Sequence, residues 1–484
     1  MRIAFVASEF APLAKTGGLA DVSSALTRFL HRRGVDLRVF MPLYARIERK
    51  ALRLEALDSL RDVPLVLGPH RYVISVLAGK LPGSDMTIFF IDCPVLYGRA
   101  GIYTRDPDEH LRFLVLTRAM FECCQRMGFA PDIVHCNDWH TAFAPLWLKA
   151  VFNWDRLFEK TRSVLTIHNI GYQGVFSAAA QADLGLAGNA HLLHQEDLGH
   201  GRINSLKHGV MYADSVTTVS PTYAREIATP QYGMGLEGVV SARGADVVGI
   251  LNGVDYDEWN PQTDPHVPAH FDARNLAGKE RIKKFLVERF QLAYARERPL
   301  IGLISRLTVQ KGIDLLFEAL PRLLAERDFS FVALGSGEAH YEDFFERLAR
   351  GFAGRVAFFR GYNEELAHVI EGGSDMFLMP SLYEPCGLNQ MYSLRYGTVP
   401  IVRRTGGLAD SVELYDPHSG EGTGIVFNDF NVEAVCWAVN TALDLFRNRR
   451  RWNRIARNGL AKDFSWERQG QEYIALYDRL TANR

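Results

Sequence analysis

The chain offers little to a disulfide or zinc scaffold. Its six cysteines (Cys93, Cys123, Cys124, Cys136, Cys386 and Cys436) form no Cys-x-x-Cys pair and no regular framework, so they read as reduced thiols of a cytoplasmic protein. No apolar stretch approaches the roughly 20 residues that span a bilayer. The opening Met1-Arg2-Ile3-Ala4-Phe5-Val6-Ala7-Ser8-Glu9 is too short in its apolar run for a signal-peptide core and reads as a first strand. Charge of one sign is also missing, since 55 basic residues face 56 acidic ones for a formal net charge of -1. That balance removes any global argument for nucleic acid or an anionic membrane as partner. There is no tandem period, low-complexity tract or long run of like charge.

What is present is apolar content, 47% over 484 residues. The chain is too long for one ordinary core, and two domains of about 200 residues or more are the natural expectation. Short runs rich in Val, Ile and Phe alternate with longer helical patterns, the sign of parallel sheets covered on both faces. In the first half strands are expected at 3–7, 35–40, 86–91, 132–136, 164–167 and 215–219, with a helix at 111–127 stopped by Gly128. A second α/β series follows, with strands at 300–305, 329–334, 356–359, 376–379 and 399–402 and helices at 313–326, 341–350 and 364–370. Gly, Asn and Pro collect at 244–261 and mark a hinge. The expected domains are 1–245, 246–460 and a C-terminal helical segment, 461–484, packing back on the first.

One hexapeptide, Thr-Gly-Gly-Leu-Ala-Asp, occurs at 16–21 and again at 405–410, preceded by Lys15 and Arg404. Each copy lies between a strand-like run and a segment able to start a helix, where paired glycines and free N–H groups suit an anion. Arg306 and Lys311 follow the strand at 300–305, and two cations at a strand's C-terminal end can hold a diphosphate. Glu384 follows the strand at 376–379, directly before Pro385, which suits a first helical turn. The helix start behind it offers the amides of Gly387 and Leu388, while the carboxylate can bind sugar hydroxyls or stabilise positive charge. His135, Asp138 and His140 in His-Cys-Asn-Asp-Trp-His match no standard zinc spacing. His168, in Thr-Ile-His-Asn-Ile-Gly-Tyr-Gln-Gly, ends another strand beside Asn169 and Tyr172. The Asp-x-Asp matches at 106–108 and 255–257 are weak metal signals. Gly335-Ser336-Gly337 lacks the third glycine of a dinucleotide fingerprint.

Taken together, the Lys15 hexapeptide, His-Cys-Asn-Asp-Trp-His, Thr-Ile-His-Asn-Ile-Gly-Tyr-Gln-Gly, Leu-Asn-Gly-Val-Asp-Tyr-Asp-Glu-Trp-Asn-Pro and Glu-Pro-Cys-Gly-Leu-Asn-Gln resemble the bacterial glycogen synthase and plant starch synthase family from Arg2 to Trp466. The resemblance implies an α/β fold of GT-B architecture, two Rossmann-like doubly wound domains with an interdomain cleft. It implies transfer of glucose from ADP-glucose to the non-reducing end of an α-1,4-glucan such as glycogen or a maltooligosaccharide, with retention and without a metal or other cofactor. Glu384, His168, Arg306 and Lys311 are implied as catalytic. Lys15, Gly17, Gly18, Asp21, Asp138, Asn252, Tyr362, Gly387 and Leu388 fall to the donor, and Glu9, Tyr97, Asn169 and Tyr172 are assigned to the acceptor. The second acid of the wider retaining pattern is absent, since Tyr392 stands there, and Asn389 replaces a frequent Thr. The competing readings are a related enzyme using UDP-glucose and a catalytically silent glucan-binding protein.

Overall fold

The computed structural model describes residues 1–186 and 188–482. The chain divides into two compact units. Unit 1 holds Met1–Val219, Ala224–Gly253 and the C-terminal segment from Trp466, and unit 2 holds Ser220–Tyr223 and Val254–Ser465. The change of unit falls at 253/254 rather than at 245/246, because Ile250, Leu251 and Asn252 stay buried and the Ile250 amide donates to Thr218 O. The return to unit 1 comes at Trp466, whose indole lies against Gly253.

Unit 1 contains the strands β1 (Arg2–Val6), β2 (Asp36–Pro42), β3 (Glu55–Ala56), β4 (Val63–Leu67), β5 (His70–Lys80), β6 (Thr87–Asp92), β7 (Ile133–Asn137), β8 (Arg162–Ile167), β9 (Val175–Ser177), β10 (Arg202–Asn204), β11 (Ser215–Thr218) and β12 (Val247–Gly249). Its main sheet runs β12-β11-β8-β7-β1-β2-β6-β5-β3, with β4 added on β5. From β12 to β6 every pairing is parallel. The central strands are uniformly apolar because helices cover both faces; Ile3, Ala4, Phe5 and Val6 have no exposed surface. The β3–β5 segment joins antiparallel and was not foreseen. Its residues alternate between buried and open positions, as a sheet with one wet face requires.

The helix Glu109–Met127 ends at Gly128 in the left-handed region, φ 61°. The last helix, Trp466–Thr481, lies on the helix Gly18–Arg32, and Gly470 there is so close to the Phe29 ring that a Cβ would come within 2.3 Å of it. Its Tyr477 hydroxyl meets His135 Nδ1 at 2.7 Å.

Unit 2 is one six-stranded sheet of β13 (Leu300–Leu307), β14 (Ser330–Gly337), β15 (Val356–Arg360), β16 (Met376–Met379), β17 (Val399–Arg403) and β18 (Ile425–Phe427). Its order is β15-β14-β13-β16-β17-β18, parallel throughout. Counting strands from β13, that is the doubly wound order in which the direction of strand addition reverses between the first and fourth strands. The parallel part of unit 1 follows the same rule about β1 and β7. In such sheets ligands bind beyond the carboxyl ends of the strands at the reversal point, which directs attention to the ends of β1, β7 and β8 in one unit and of β13 and β16 in the other.

Candidate functional site

In unit 1 the loop after β1 carries Lys15, and Glu9 shapes it. The Glu9 carboxylate, 3% exposed, accepts from the Thr16 amide at 2.5 Å, the Thr16 hydroxyl at 2.8 Å and the Gly17 amide at 3.3 Å. It also accepts from the Tyr103 hydroxyl at 2.5 Å. In this structure the oxygens of Glu9, expected on the acceptor side, hold the loop and show little open surface. Tyr97 is corrected as well, since it is fully buried and donates its hydroxyl to Arg112 O at 2.7 Å. The helix Gly18–Arg32 begins without a side-chain cap, and a Cβ at Gly17 or Gly18 would meet nothing within 4 Å. Lys15 Nζ lies 2.8 Å from Asp21 Oδ1. An uncapped helix start, open space and a cation together suit a phosphate.

At the ends of β7 and β8, Asp138 and His168 form one construction. Asp138 is held at φ 52° and ψ -169°, a strained conformation for a residue with a side chain. Its Oδ1 accepts from the His168 amide at 2.7 Å and the Asn169 amide at 3.4 Å. Burial pushes the carboxyl up to about 7, against those two amide bonds. The Asn137 amide group donates to Val6 O at 3.0 Å, so its oxygen faces His168 Nε2 at 2.9 Å. That assigns the proton of His168 to Nε2 and leaves Nδ1 as the acceptor. Burial pushes His168 down to about 3, so the ring is neutral. Asn169 caps its own turn through the Gly171 amide at 2.9 Å, and Tyr172 is 52% exposed. Asn252 is buried, and its Oδ1 lacks a hydrogen-bond partner among the described residues.

The other histidines of the motif are core residues. His135 joins Tyr477 and Thr166 Oγ1 at 2.7 and 2.6 Å, and His140 stacks on Tyr103 with ring centroids 4.9 Å apart.

In unit 2 Arg306 lies exposed near the end of β13. Lys311 follows in the short turn Val309–Lys311, and Gly312 at φ 69° brings that turn against Pro380 O, where a Cβ would stand only 2.0 Å away. The turn therefore docks on the segment after β16, and Lys311 Nζ reaches Glu384 Oε2 at 2.6 Å. Ser381 Oγ donates to the same oxygen at 3.0 Å. Arg403 supports the segment from behind through Leu382 O at 2.6 Å.

The helix expected directly at Pro385 starts only at Asn389. The intervening residues are occupied by another contact. A Cβ on Gly406 would lie 1.8 Å from Glu384 O and one on Gly407 2.1 Å from Cys386 O. The second hexapeptide thus packs against the Glu384 segment, with its Asp410 engaged by the Thr222 amide and hydroxyl at 2.7 and 2.6 Å. Gly387 takes φ 71° and Leu388 precedes the helix as its cap residue. Asn389 donates to Ile304 O at 3.0 Å. Tyr362 is 64% exposed, and Tyr392 lies flat on Trp259 at 3.8 Å. Gly335 and Gly337 serve backbone contact with β13, and the Gly337 amide is taken by Glu342.

Tyr103 and Arg112 escaped the sequence reading. Arg112 is fully buried and fixes the segment before Tyr103 through the carbonyls of Leu96, Gly101 and Ile102. No motif marks either residue, and Tyr103 acts on Glu9 across 94 positions of chain.

Residues 2–242 match the family model described as the starch synthase catalytic domain, and 285–459 match that of glycosyl transferases group 1. "Glycogen synthase 1" of Geobacter sulfurreducens is 44% identical, covering 100% of this chain and 97% of its own. Glycogen synthases of Koribacter versatilis and Anaeromyxobacter dehalogenans are 43% and 45% identical, covering 99% of this chain and 98% and 100% of theirs. Among solved structures, the catalytic domain of starch synthase IV from Arabidopsis thaliana, bound to ADP and acarbose, is similar with a TM-score of 0.91 and 35% identity over 99% of both chains. Sucrose-phosphate synthase of Thermosynechococcus elongatus, at 17% identity and a TM-score of 0.63 over 100% of both chains, shares the fold.

Two doubly wound units with basic and polar side chains at their reversal points make this a glycosyltransferase of GT-B architecture. The agreement in sequence extends over the whole chain. It belongs to the family of bacterial glycogen synthases and plant starch synthases.

Proposed function

We propose that the protein is a glycogen synthase of the cytoplasm, moving glucose from ADP-glucose to the non-reducing end of an α-1,4-glucan with retention. The observation that carries this reading is the Lys311–Glu384 pair at the reversal point of unit 2, 2.6 Å apart. A cation held there neutralises the leaving diphosphate, and the carboxylate beside it favours the positive charge that develops at the sugar. Arg306 adds a second cation. Within unit 1, Lys15 and the uncapped start of the helix Gly18–Arg32, with open space at Gly17 and Gly18, suit a phosphate of the donor. The bare Nδ1 of His168 accepts a hydrogen bond from a sugar hydroxyl, and Asp138 fixes that ring through its backbone. Asn169 and Tyr172 serve the acceptor, while Asn252, Tyr362, Gly387 and Leu388 complete the donor side.

With Tyr392 stacked on Trp259, unit 2 presents no second carboxylate at that position. The reaction follows a front-face path in which leaving-group phosphate takes the acceptor hydroxyl's proton. No metal is assigned to the step, because Lys15, Arg306 and Lys311 supply the positive charge.

The test is incorporation of labelled glucose into glycogen from ADP-glucose, UDP-glucose and GDP-glucose in parallel. Transfer from ADP-glucose with product digestible by an α-1,4-specific hydrolase is the expected result. Incorporation from UDP-glucose alone overturns the donor, and glycogen binding without transfer from any donor returns the protein to a silent binder.

A further inference from the structure

The turn after Val254 and the helix Glu364–Gly373 enclose a group of side chains that the transfer reaction does not use. Glu364 and His368 stand one turn apart on that helix and so project from one face. Glu258 comes from the neighbouring turn, and one ligand atom from each of the three lies within 4.8 Å of the others. Among the described residues no other group of three or more His, Cys, Asp or Glu side chains comes together in this way.

The histidine supplies a second, independent observation. His368 has no exposed surface, and among the described residues its Nε2 has no hydrogen-bond partner, although an unpaired buried polar atom is costly. That nitrogen points toward Glu364, whose Oε1 is 3.7 Å away, too far for a hydrogen bond. It is a natural separation for two atoms sharing one ion at bond lengths of about 2.0–2.2 Å each. The other ring nitrogen, Nδ1, is fixed by Asp264 Oδ2 at 2.9 Å. Asp264 is fixed in turn by the Tyr396 hydroxyl at 2.5 Å and the His266 amide at 2.8 Å. A carboxylate on the far nitrogen is the usual outer partner of a metal-binding histidine, because it sets the ring's orientation and makes the free nitrogen more basic.

We infer that His368, Glu364 and Glu258 form a site for one divalent transition ion, with Asp264 as the outer partner of His368. One imidazole and two carboxylates suit Zn2+, Mn2+ or Co2+ better than the all-oxygen shells of Ca2+ and Mg2+. The ion ties the turn at 255–259 to the start of the helix behind Tyr362, and it fixes the stack of Trp259 on His368, 3.7 Å between ring centroids. Its role is structural, and glucosyl transfer needs no metal step from it. A proton competes for the same nitrogen. Burial lowers the affinity of His368 for that proton, but the hydrogen bond to Asp264 and the negative charges of Asp264 and Glu364 outweigh it and push the group up to about 9.

The test uses the full, untagged chain freed of metal by a chelator, titrated with Zn2+ by calorimetry and with Co2+ by tryptophan emission at mildly alkaline pH. One equivalent should bind, raise the thermal midpoint by mass action and, for Co2+, quench Trp259. Glu258→Gln and Glu364→Gln alter side chains with some exposure, so the fold should persist by circular dichroism. Each should weaken binding by about tenfold or more, the scale on which even outer partners act. Absence of saturable binding in the native chain, or affinity undiminished in either variant, overturns the site.

Discussion

A buried carboxylate with a single lysine beside it ties chemistry to stability at Glu384. The side chains of Lys311 and Glu384 are 18% and 6% exposed, so loss of the lysine strands a charge as well as removing a catalytic cation. Lys311→Ala is expected to lose about 3 kcal/mol of transition-state stabilisation, roughly a hundredfold in kcat, measured at saturating donor on protein shown to be folded. Turnover near that of the parent enzyme sinks the role. Asp138 gives a pH signature instead. Its folded value is raised to about 7 by burial, so the folded chain binds a proton that the unfolded chain releases near its ordinary value of about 4. That contribution to stability is complete below about pH 4, falls as pH rises to about 7 and is then absent. Asp138→Asn, which keeps an acceptor for the His168 amide, should remove a decline on the order of 4 kcal/mol at most between those limits. Urea midpoints across pH decide it, and a variant with an unchanged slope refutes it. Sequence marked Glu384, Lys311, Asp138 and His168 because each follows a strand. It could not show that Glu9 faces inward or that Tyr97 is sealed, since both depend on Tyr103 and Arg112 arriving from elsewhere in the chain.

The two hexapeptides behave differently as elements despite identical spelling. Around the first, Gly17 and Gly18 face open space; around the second, Gly406 and Gly407 lie against backbone oxygens of the Glu384 segment. Gly18→Ala should leave the urea midpoint within about 0.5 kcal/mol of the parent while weakening binding of the ADP moiety. Gly407→Ala should cost about 3 kcal/mol, because the obstructing atoms are backbone and cannot rotate away. Equal effects on stability would refute the distinction. The parallel strands were legible from their unbroken apolar runs, and the helix Ile313–Glu326 fell where its periodicity put it. Sheet order and the antiparallel strands β3 to β5 were not, because pairing partners leave no local mark and a half-exposed strand shows only weak alternation.

At the scale of the whole molecule, apart from the short piece Ser220–Tyr223, the chain passes to unit 2 at Val254 and comes back to unit 1 with Trp466. Unit 1 is therefore discontinuous. A fragment of residues 254–465 should fold with one cooperative transition, whereas residues 1–253 alone should expose the face of the helix Gly18–Arg32, leave His135 Nδ1 without Tyr477 and aggregate. Adding a peptide of residues 464–482 should restore solubility to the second fragment. Chemical-shift dispersion in the two fragments is the measurement, and a well-folded 1–253 without the peptide contradicts the expectation.

That late return has a temporal side. On a ribosome adding roughly 5–20 residues each second, the stretch from 254 to the last helix takes on the order of ten seconds to a minute. The first unit to emerge is thus the last to be completed, waiting with Phe29 and His135 uncovered while its successor folds ahead of it. A message cut short before the codon of Trp466 would yield a product whose defect lies in its oldest part, and quality control in the cell would meet it there.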